Sequence, residues 1–525
     1  PPVDIDPLLH PHDVEWEEIE AVVQETYPDV HQNRSTINIH RLSAAGVESV
    51  EQYFYLLFPM IEFDEIVAAT NIELNKRNRT PTTKGEFVKW FGIRLTSVLE
   101  RRRGGVQSWF KEGGEEASVK TYGNYARRFG MSVARFVLIN DCFMLRRPAQ
   151  SDEDKADKWY MFRGFQTSFN LRRQSAITPG QNLIVDESMS AFRQHASGEF
   201  NTRSMPTVTK IARKPEGVGA EFKTIADPCS GAMLGIELQE GKLAMRAKEK
   251  CAELGAGASC TWRLTKPWHG TGRTTKGDSW FGSLKCSIAL MLVGLYGCFM
   301  VKTAHRCFPL QYFKAWAAAE EDRVDDQGNP IPWGNHKVLR HTKHNPNGPD
   351  HVFYALAHRD RRLKTIVTNK GTTLPGQPMS VERSRLVYDE EGGVSNEYYL
   401  KTTPRTKMME LLFDDFSVID IGNRWRQGIL RPEKYWLTKC WWKRCFTTVG
   451  MGMCVVDAFL VYKYEFQTFH MAGLPLEFLD FVGKLAYKLI NNIWLEDGVA
   501  VRAAATPPGG VEQQQAERQV CIVFV

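Results

Sequence analysis

The sequence predicts a mixed α/β protein in which a strand-rich centre is flanked by helical stretches and interrupted by an insertion. Three observations predict it. Between residues 60 and 98, aromatic and aliphatic side chains recur at helical spacing. From about 180 to 303 the pattern changes to short apolar runs bounded by Gly, Pro and Ser. After a Pro-, Gly- and His-rich stretch at 304–404, helical spacing returns from 424 to 464 and from 476 to 490. At 525 residues the chain is long enough for two to four domains, and its 43% hydrophobic and 24% charged content is that of a globular protein.

The elements follow in order. Residues 1–29 carry nine acids and no Lys or Arg; the whole chain is +6, so removing those nine leaves +15. An acidic leader, taken as residues 1–45 and disordered, thus precedes a body suited to a polyanion. A solvated tail without a role is the competing reading. Residues 46–178 read as helical. Phe63, Ile66, Val67, Thr70 and Leu74 share one face, and a capping box at Thr83 and Glu86 opens a helix presenting Phe87, Trp90, Phe91, Leu95 and Val98. These aromatic faces read as core. Helical pattern continues through "MSVARFVLINDCF".

Over 179–303, "NLIVD" is a strand, and "EFKTIAD" and "AMLGIEL", parted by Pro228, Ser230 and Gly231, form a hairpin. "TGRTTKGDSWFGS" is extended up to Asp278, and a helix and a strand follow within 283–303. Cys286 to Val301 is the longest uncharged apolar run, at 16 residues; a membrane span needs about 20, so no membrane is expected. An insertion domain occupies 304–404, a second short piece of the strand region 405–423, further helices 424–495, and a disordered low-complexity tail 496–525. The chain opens on Pro1 and reads as a fragment without a signal peptide. Its eleven cysteines form no C-x-x-C pair, which favours reduced thiols.

Asp186 and Glu187 end the apolar run Leu183–Val185. A carboxylate beside a core must be paired, solvated or metal-bound. Asp278 also ends an extended segment, and Gly277 and Gly282 around it leave room for a ligand. Two carboxylates converging from strand ends could hold a pair of divalent ions about 3.5–4 Å apart for phosphodiester chemistry, with hard oxygen ligands favouring magnesium. Capping or salt-bridged aspartates would give the same spacing. A third carboxylate would come from Asp414, Asp415, Asp420 or Asp457. Asp457, inside "MCVVDAFLVYK", suits a buried hydrogen bond. Asp420 precedes "NRWRQGILRPEKYWLTKCWWKR", with seven Lys/Arg against one acid and five aromatics. Such a segment either grips phosphates and stacks on bases or lays a solvated face over an aromatic core.

Together "TPGQNLIVDESMSAFR", "RKPEGVGAEFKTIADPCSGA", "GDSWFGS", "SVIDIGNRWRQG" and "CWWKRCFTTVGMGMCVVDAFLVYK" resemble the piggyBac family of cut-and-paste DNA transposases and their domesticated derivatives, over about residues 50–492. The resemblance implies a ribonuclease-H-like catalytic core, a mixed sheet flanked by helices, interrupted by the insertion and joined to a mostly helical dimerisation and DNA-binding domain. It implies three metal-binding catalytic aspartates, matching Asp186, Asp278 and Asp420, with two Mg2+ ions or Mn2+ in their place. It further implies a nuclear homodimer acting on double-stranded DNA, cutting transposon ends through a hairpin intermediate and joining them at TTAA. Arg424, Arg426, Lys439, Lys443 and Arg444 are the DNA-binding candidates.

Two departures bear on activity. Members often have an acid three residues after the third aspartate, where this chain has Asn423, and many end in a cysteine-rich zinc domain, whereas only Cys521 lies beyond residue 454. No zinc is therefore expected, since one thiol cannot make a four-ligand site. The alternative function is a domesticated DNA-binding protein that keeps the fold without strand cleavage. Five histidines between His336 and His358 suit a basic DNA-touching loop better than a metal site.

Overall fold

The computed structural model describes residues 14–39, 49–100, 102, 105–112, 123–192, 205–212, 214, 216–302, 307–321, 333–360, 362–388, 393–469 and 473–495. The expected tail and residues 1–13 and 40–45 of the expected leader lie outside them.

One ten-stranded mixed sheet organises the molecule. In chain order its strands are β1 (Glu17–Ile19), β2 (Asn182–Ala191), β3 (Thr209–Lys210), β4 (Val218–Ala226), β5 (Met233–Leu238), β6 (Thr274–Gly277), β7 (Tyr296–Met300), β8 (His336–Lys343), β9 (His351–Arg359) and β10 (Leu363–Thr368). Across the sheet the order is β1-β8-β9-β10-β7-β6-β2-β4, and both β3 and β5 pair with β4. β2, β4 and β5 run antiparallel, and β2, β6 and β7 parallel. That is the ribonuclease-H-like arrangement. Parallel neighbours need a crossover, and helix Leu284–Leu292 supplies it between β6 and β7. Strands covered on both faces read as unbroken apolar runs, and Leu183, Ile184 and Val185 of β2 are fully buried.

The hairpin expected from "EFKTIAD" and "AMLGIEL" is β4–β5. Asp227 closes its turn, accepting hydrogen bonds from the backbone N–H of Ser230 at 3.0 Å and of Cys229 at 3.3 Å. The expected helices are also present: Ile61–Lys76, Lys84–Leu99, Val133–Cys142 and Phe478–Ile490. At the start of Lys84–Leu99 the Thr83 hydroxyl accepts from Glu86 N–H at 3.1 Å, and the Glu86 carboxylate pairs with Arg135 at 2.6 Å.

Two stretches differ from expectation. Within 304–404, expected as an insertion domain, β10 pairs with β7 and carries β9 and β8 outward in the core sheet, while Met379–Tyr388 and Val394–Thr403 form a separate two-stranded sheet. The acidic leader is not disordered over residues 14–39. It adds β1 to the edge of β8, where Glu17 meets Arg340 at 2.7 Å and Glu18 meets Lys337 at 2.8 Å. Val22 then enters a small core with Val338, Leu356 and Ile366. The leader stays because it covers an otherwise open strand edge and buries an apolar side chain on the way.

The helical part is built on aromatic contacts; Phe58 and Phe63, for example, stack with ring centroids 4.4 Å apart. Through it runs Trp441–Thr468, long and apolar enough to cross a membrane but almost wholly buried within the protein. Asp457 lies in this helix, fully buried, ion-paired with the equally buried Arg173 of helix Tyr160–Ala176. Arg173 also donates to the Met233 carbonyl at 2.6 Å, tying that helix to the start of β5. Removing one partner leaves an uncompensated buried charge, so Asp457→Asn should lower the unfolding free energy by about 3–5 kcal/mol in urea titration. A change below about 1 kcal/mol would show that the pair is not structural.

Candidate active site

Strand register brings two of the three aspartates side by side. β2 and β6 are parallel, and Val185 pairs with Gly277. Asp186 and Asp278 are the next residues on adjacent strands pointing the same way. Asp278 then leaves the strand in a tight turn: its Oδ1 accepts from Trp280 N–H at 2.8 Å, and its carbonyl accepts from the N–H groups of Phe281 and Gly282, each at 3.1 Å.

The neighbouring acids Asp186 and Glu187 have different environments. Successive strand residues face opposite sides. Glu187 is buried between Lys214, at 3.6 Å, and Lys223, at 3.8 Å. Asp186 is half-buried and accepts from Glu187 N–H at 2.8 Å. Burial first, and then the adjacent Glu187 carboxyl, push its pKa well above the ordinary carboxylate range, against the pull of Lys214. An acid so placed gains from a cation delivered to it.

Asp420 lies in helix Val418–Arg424, exposed at its surface. One turn on, Asn423 donates to the Ser188 hydroxyl at 3.2 Å and the Glu187 carbonyl at 3.5 Å. Ser188 and Asp186 share one face of β2, so the helix carrying Asp420 lies on the face that Asp186 occupies. The other candidates are engaged elsewhere: Asp414 pairs with Arg405 at 2.8 Å and Asp457 with Arg173. Among the described residues no three His, Cys, Asp or Glu side chains stand close enough to hold an ion. Asp186 and Asp278 are set next to each other by strand register, and among the described residues no third acid forms an ion-holding group with them.

Lys276 was not evident from the sequence. It sits in β6 opposite Ile184 and two residues before Asp278, buried, with Nζ 3.5 Å from the Asp414 carbonyl. Burial pulls its pKa down, and the Asp415 carboxylate counters that. A lysine inside a short buried strand is the signal that could have found it.

Several expectations need correction. Gly277 and Gly282 do not open space for a ligand: a Cβ on Gly277 would lie 2.7 Å from Val185 Cγ2, and one on Gly282 2.0 Å from Phe299 Cβ. Their room is taken by core side chains. Of the DNA-binding candidates, Arg424 and Lys439 are exposed. Arg426 and Arg444 are buried: Arg426 is ion-paired with Glu433 and donates to the Met189 carbonyl at 2.8 Å, while Arg444 donates to the Glu433 carbonyl. Lys443 is half-buried and caps the carbonyls of Asn140, at 2.8 Å, and Asp141, at 3.3 Å. Trp436, Trp441 and Trp442 are buried as well, so this stretch is chiefly core. Four of the five histidines lie on β8 and β9, not on a loop, and His341 and His358 are buried there.

The parallel-antiparallel sheet, with Asp186 inside β2 beside Asp278 at the end of β6, defines a protein built on the ribonuclease-H-like plan. Its fold is similar to that of a piggyBac transposase solved by cryo-EM as a synaptic complex with hairpin DNA, with a TM-score of 0.60 and 15% identity over 91% of this chain and 89% of that one. No curated protein matches the chain. The family described as Transposase IS4 matches residues 49–449, and the chain belongs to it.

The two kinds of arginine give a test. Arg426→Ala strands Glu433 in the interior and should cost about 3–5 kcal/mol in chemical denaturation. Arg424→Ala should change stability by less than about 0.5 kcal/mol. Equal effects would contradict the placement of the two side chains.

Proposed function

We propose that this chain is a cut-and-paste DNA transposase of the piggyBac type that cleaves and rejoins strands at TTAA sites, as a nuclear homodimer on double-stranded DNA. The observation that carries the reading is the register of β2 and β6, which sets Asp186 inside β2 beside Asp278 at the end of β6, in a chain of a transposase family. The solved protein of the same fold is a synaptic complex with hairpin DNA, which supports DNA as the substrate here. Asp186, Asp278 and Asp420 would hold divalent ions, magnesium or manganese. Bound metal would supply charge stabilisation to the attacking and leaving oxygens of the phosphodiester. Arg424 and Lys439 would meet phosphates, since both are exposed on the segment that follows Asp420.

A domesticated DNA-binding protein without strand cleavage is the second reading. Asn423 favours it: it stands where many members have an acid, and it is bound to Ser188 and the Glu187 carbonyl.

Cleavage of end-bearing DNA decides between them. Asp186→Asn removes charge and keeps shape, so cleavage should fall on the order of a thousandfold or more while DNA affinity holds. Arg424→Ala with Lys439→Ala should weaken binding and reduce the slope of log affinity against log salt by roughly one to two units. An unsubstituted chain that binds DNA but never cuts it, with either metal, would establish the second reading.

A further inference from the structure

On the face of the sheet opposite Asp186, one buried ammonium reaches the neighbours of both aspartates. Lys223 lies in β4, paired in register with Glu187 of β2 and Glu237 of β5, and so shares the face of Glu187. It is only 2% exposed. Its Nζ is 2.6 Å from the Glu221 carboxylate, 3.8 Å from that of Glu187, and 3.3 Å from the centre of the Trp280 ring. An ammonium over an indole face is attracted by the ring quadrupole, more strongly where water is excluded.

The two residues it reaches beyond its own strand hold the two aspartates. The Glu187 N–H donates to Asp186 Oδ1 and the Trp280 N–H to Asp278 Oδ1, each at 2.8 Å. Each carboxylate is thus oriented by the amide of a residue whose side chain meets Lys223. The turn after Asp278 has a separate anchor, since the Thr261 hydroxyl donates to the Phe281 carbonyl at 3.1 Å. Glu187 likewise has a second cation, Lys214, at 3.6 Å. Lys223 is therefore not what keeps either segment in place; it fixes how Glu187 and Trp280 sit relative to each other.

A buried ion pair seldom stabilises a fold more than apolar side chains of the same volume would. What it supplies here is geometry. Two carboxylates that serve one reacting group must be held within about 0.5 Å of their working positions. A contact behind the sheet does this without occupying the face that the carboxylates present.

We propose that Lys223 is a positioning residue for the Asp186–Asp278 pair: holding Glu187 and Trp280 from behind the sheet, it sets the amides that orient the two carboxylates. This rests on the reading above for what the pair does, and not for how it is held.

Lys223→Met alone would strand Glu221, so the variant to test is Glu221→Leu with Lys223→Met, which replaces the ion pair by apolar side chains of similar size. Lys248→Met is the control, because it breaks an ion pair with Glu237, at 3.3 Å, one strand further from β2. In single-turnover cleavage of end-bearing duplex the double variant should be slower tenfold or more, with DNA affinity changed less than twofold. The control should lose less than threefold in rate. Residue-level hydrogen exchange on the full chain needs no cleavage: the Glu187 and Trp280 amides should exchange at least fivefold faster in the double variant, with helix Phe478–Ile490 unchanged. Cleavage within threefold of the unsubstituted chain, or both amides exchanging at their original rates, overturns the proposal. Faster exchange throughout the chain would make Lys223 a residue of general stability and overturn it too. If the unsubstituted chain never cuts DNA, the cleavage reading fails, and amide exchange alone decides whether Lys223 holds the pair.

Discussion

Arg426 is the constraint on which the rest of the structure turns. Its buried guanidinium joins the Met189 carbonyl on β2, the Asn423 side chain one turn back and Glu433 beyond a left-handed turn at Arg431. Its aliphatic stem lies against Gly452 of the long core helix, where a Cβ would come within 2.6 Å of the arginine's Cδ. A charge taken this far from water must find partners or cost several kcal/mol. The need to satisfy it fixes three things together: the seating of helix Val418–Arg424 on β2, the chain reversal at 431, and the closeness of the core helix. Since that first helix carries Asp420, the position of that carboxylate over β2 is set from the interior.

Much of this was legible in the sequence because the relevant signals are local. Leu183 to Val185 reads as a buried strand from its own composition, and the β4–β5 hairpin from Pro228, Ser230 and Gly231 between two apolar runs. Asp186 and Asp278 could be singled out because each ends such a run. What remained hidden is pairing across distance. No spacing shows that β10 extends the core sheet, that Val22 fills a core with Ile366, or that Glu17 finds Arg340. The basic-aromatic segment was ambiguous for the same reason. Its sequence fits a DNA-gripping face and an aromatic core equally, and only Glu433 and the Met189 carbonyl decide that Arg426 points inward.

β2 illustrates how one strand can hold both a satisfied and an unsatisfied part. Toward Ser190 the side chains are satisfied: the Ser190 hydroxyl meets that of Thr448 at 2.7 Å, and Arg426 caps the neighbouring carbonyl. At Asp186 the strand carries a carboxyl whose ionisation is opposed by burial and by Glu187. Glu187 itself is balanced by Lys214 and Lys223, so the electrostatic tension is confined to one residue. Functional groups are expected where local satisfaction fails inside an otherwise satisfied frame.

Charge bookkeeping extends the same point to the whole molecule. Among the described residues eight basic side chains are buried (Arg94, Arg173, Lys223, Arg273, Lys276, Lys370, Arg426 and Arg444), and seven acidic ones are buried with them (Glu187, Glu221, Asp227, Glu320, Glu433, Asp457 and Glu465). The interior is thus close to neutral, as desolvation requires, and it absorbs almost none of the chain's positive excess. That excess lies at the surface. Part of it is met by the leader, whose Glu17 and Glu18 pair with Arg340 and Lys337. Those pairs are mostly solvent-exposed and worth little each, so salt or a competing polyanion would compete for Arg340 and Lys337 far more readily than for Arg426. The surface charge is therefore exchangeable and the interior charge is fixed, so surface partners can change without loosening the helix that carries Asp420.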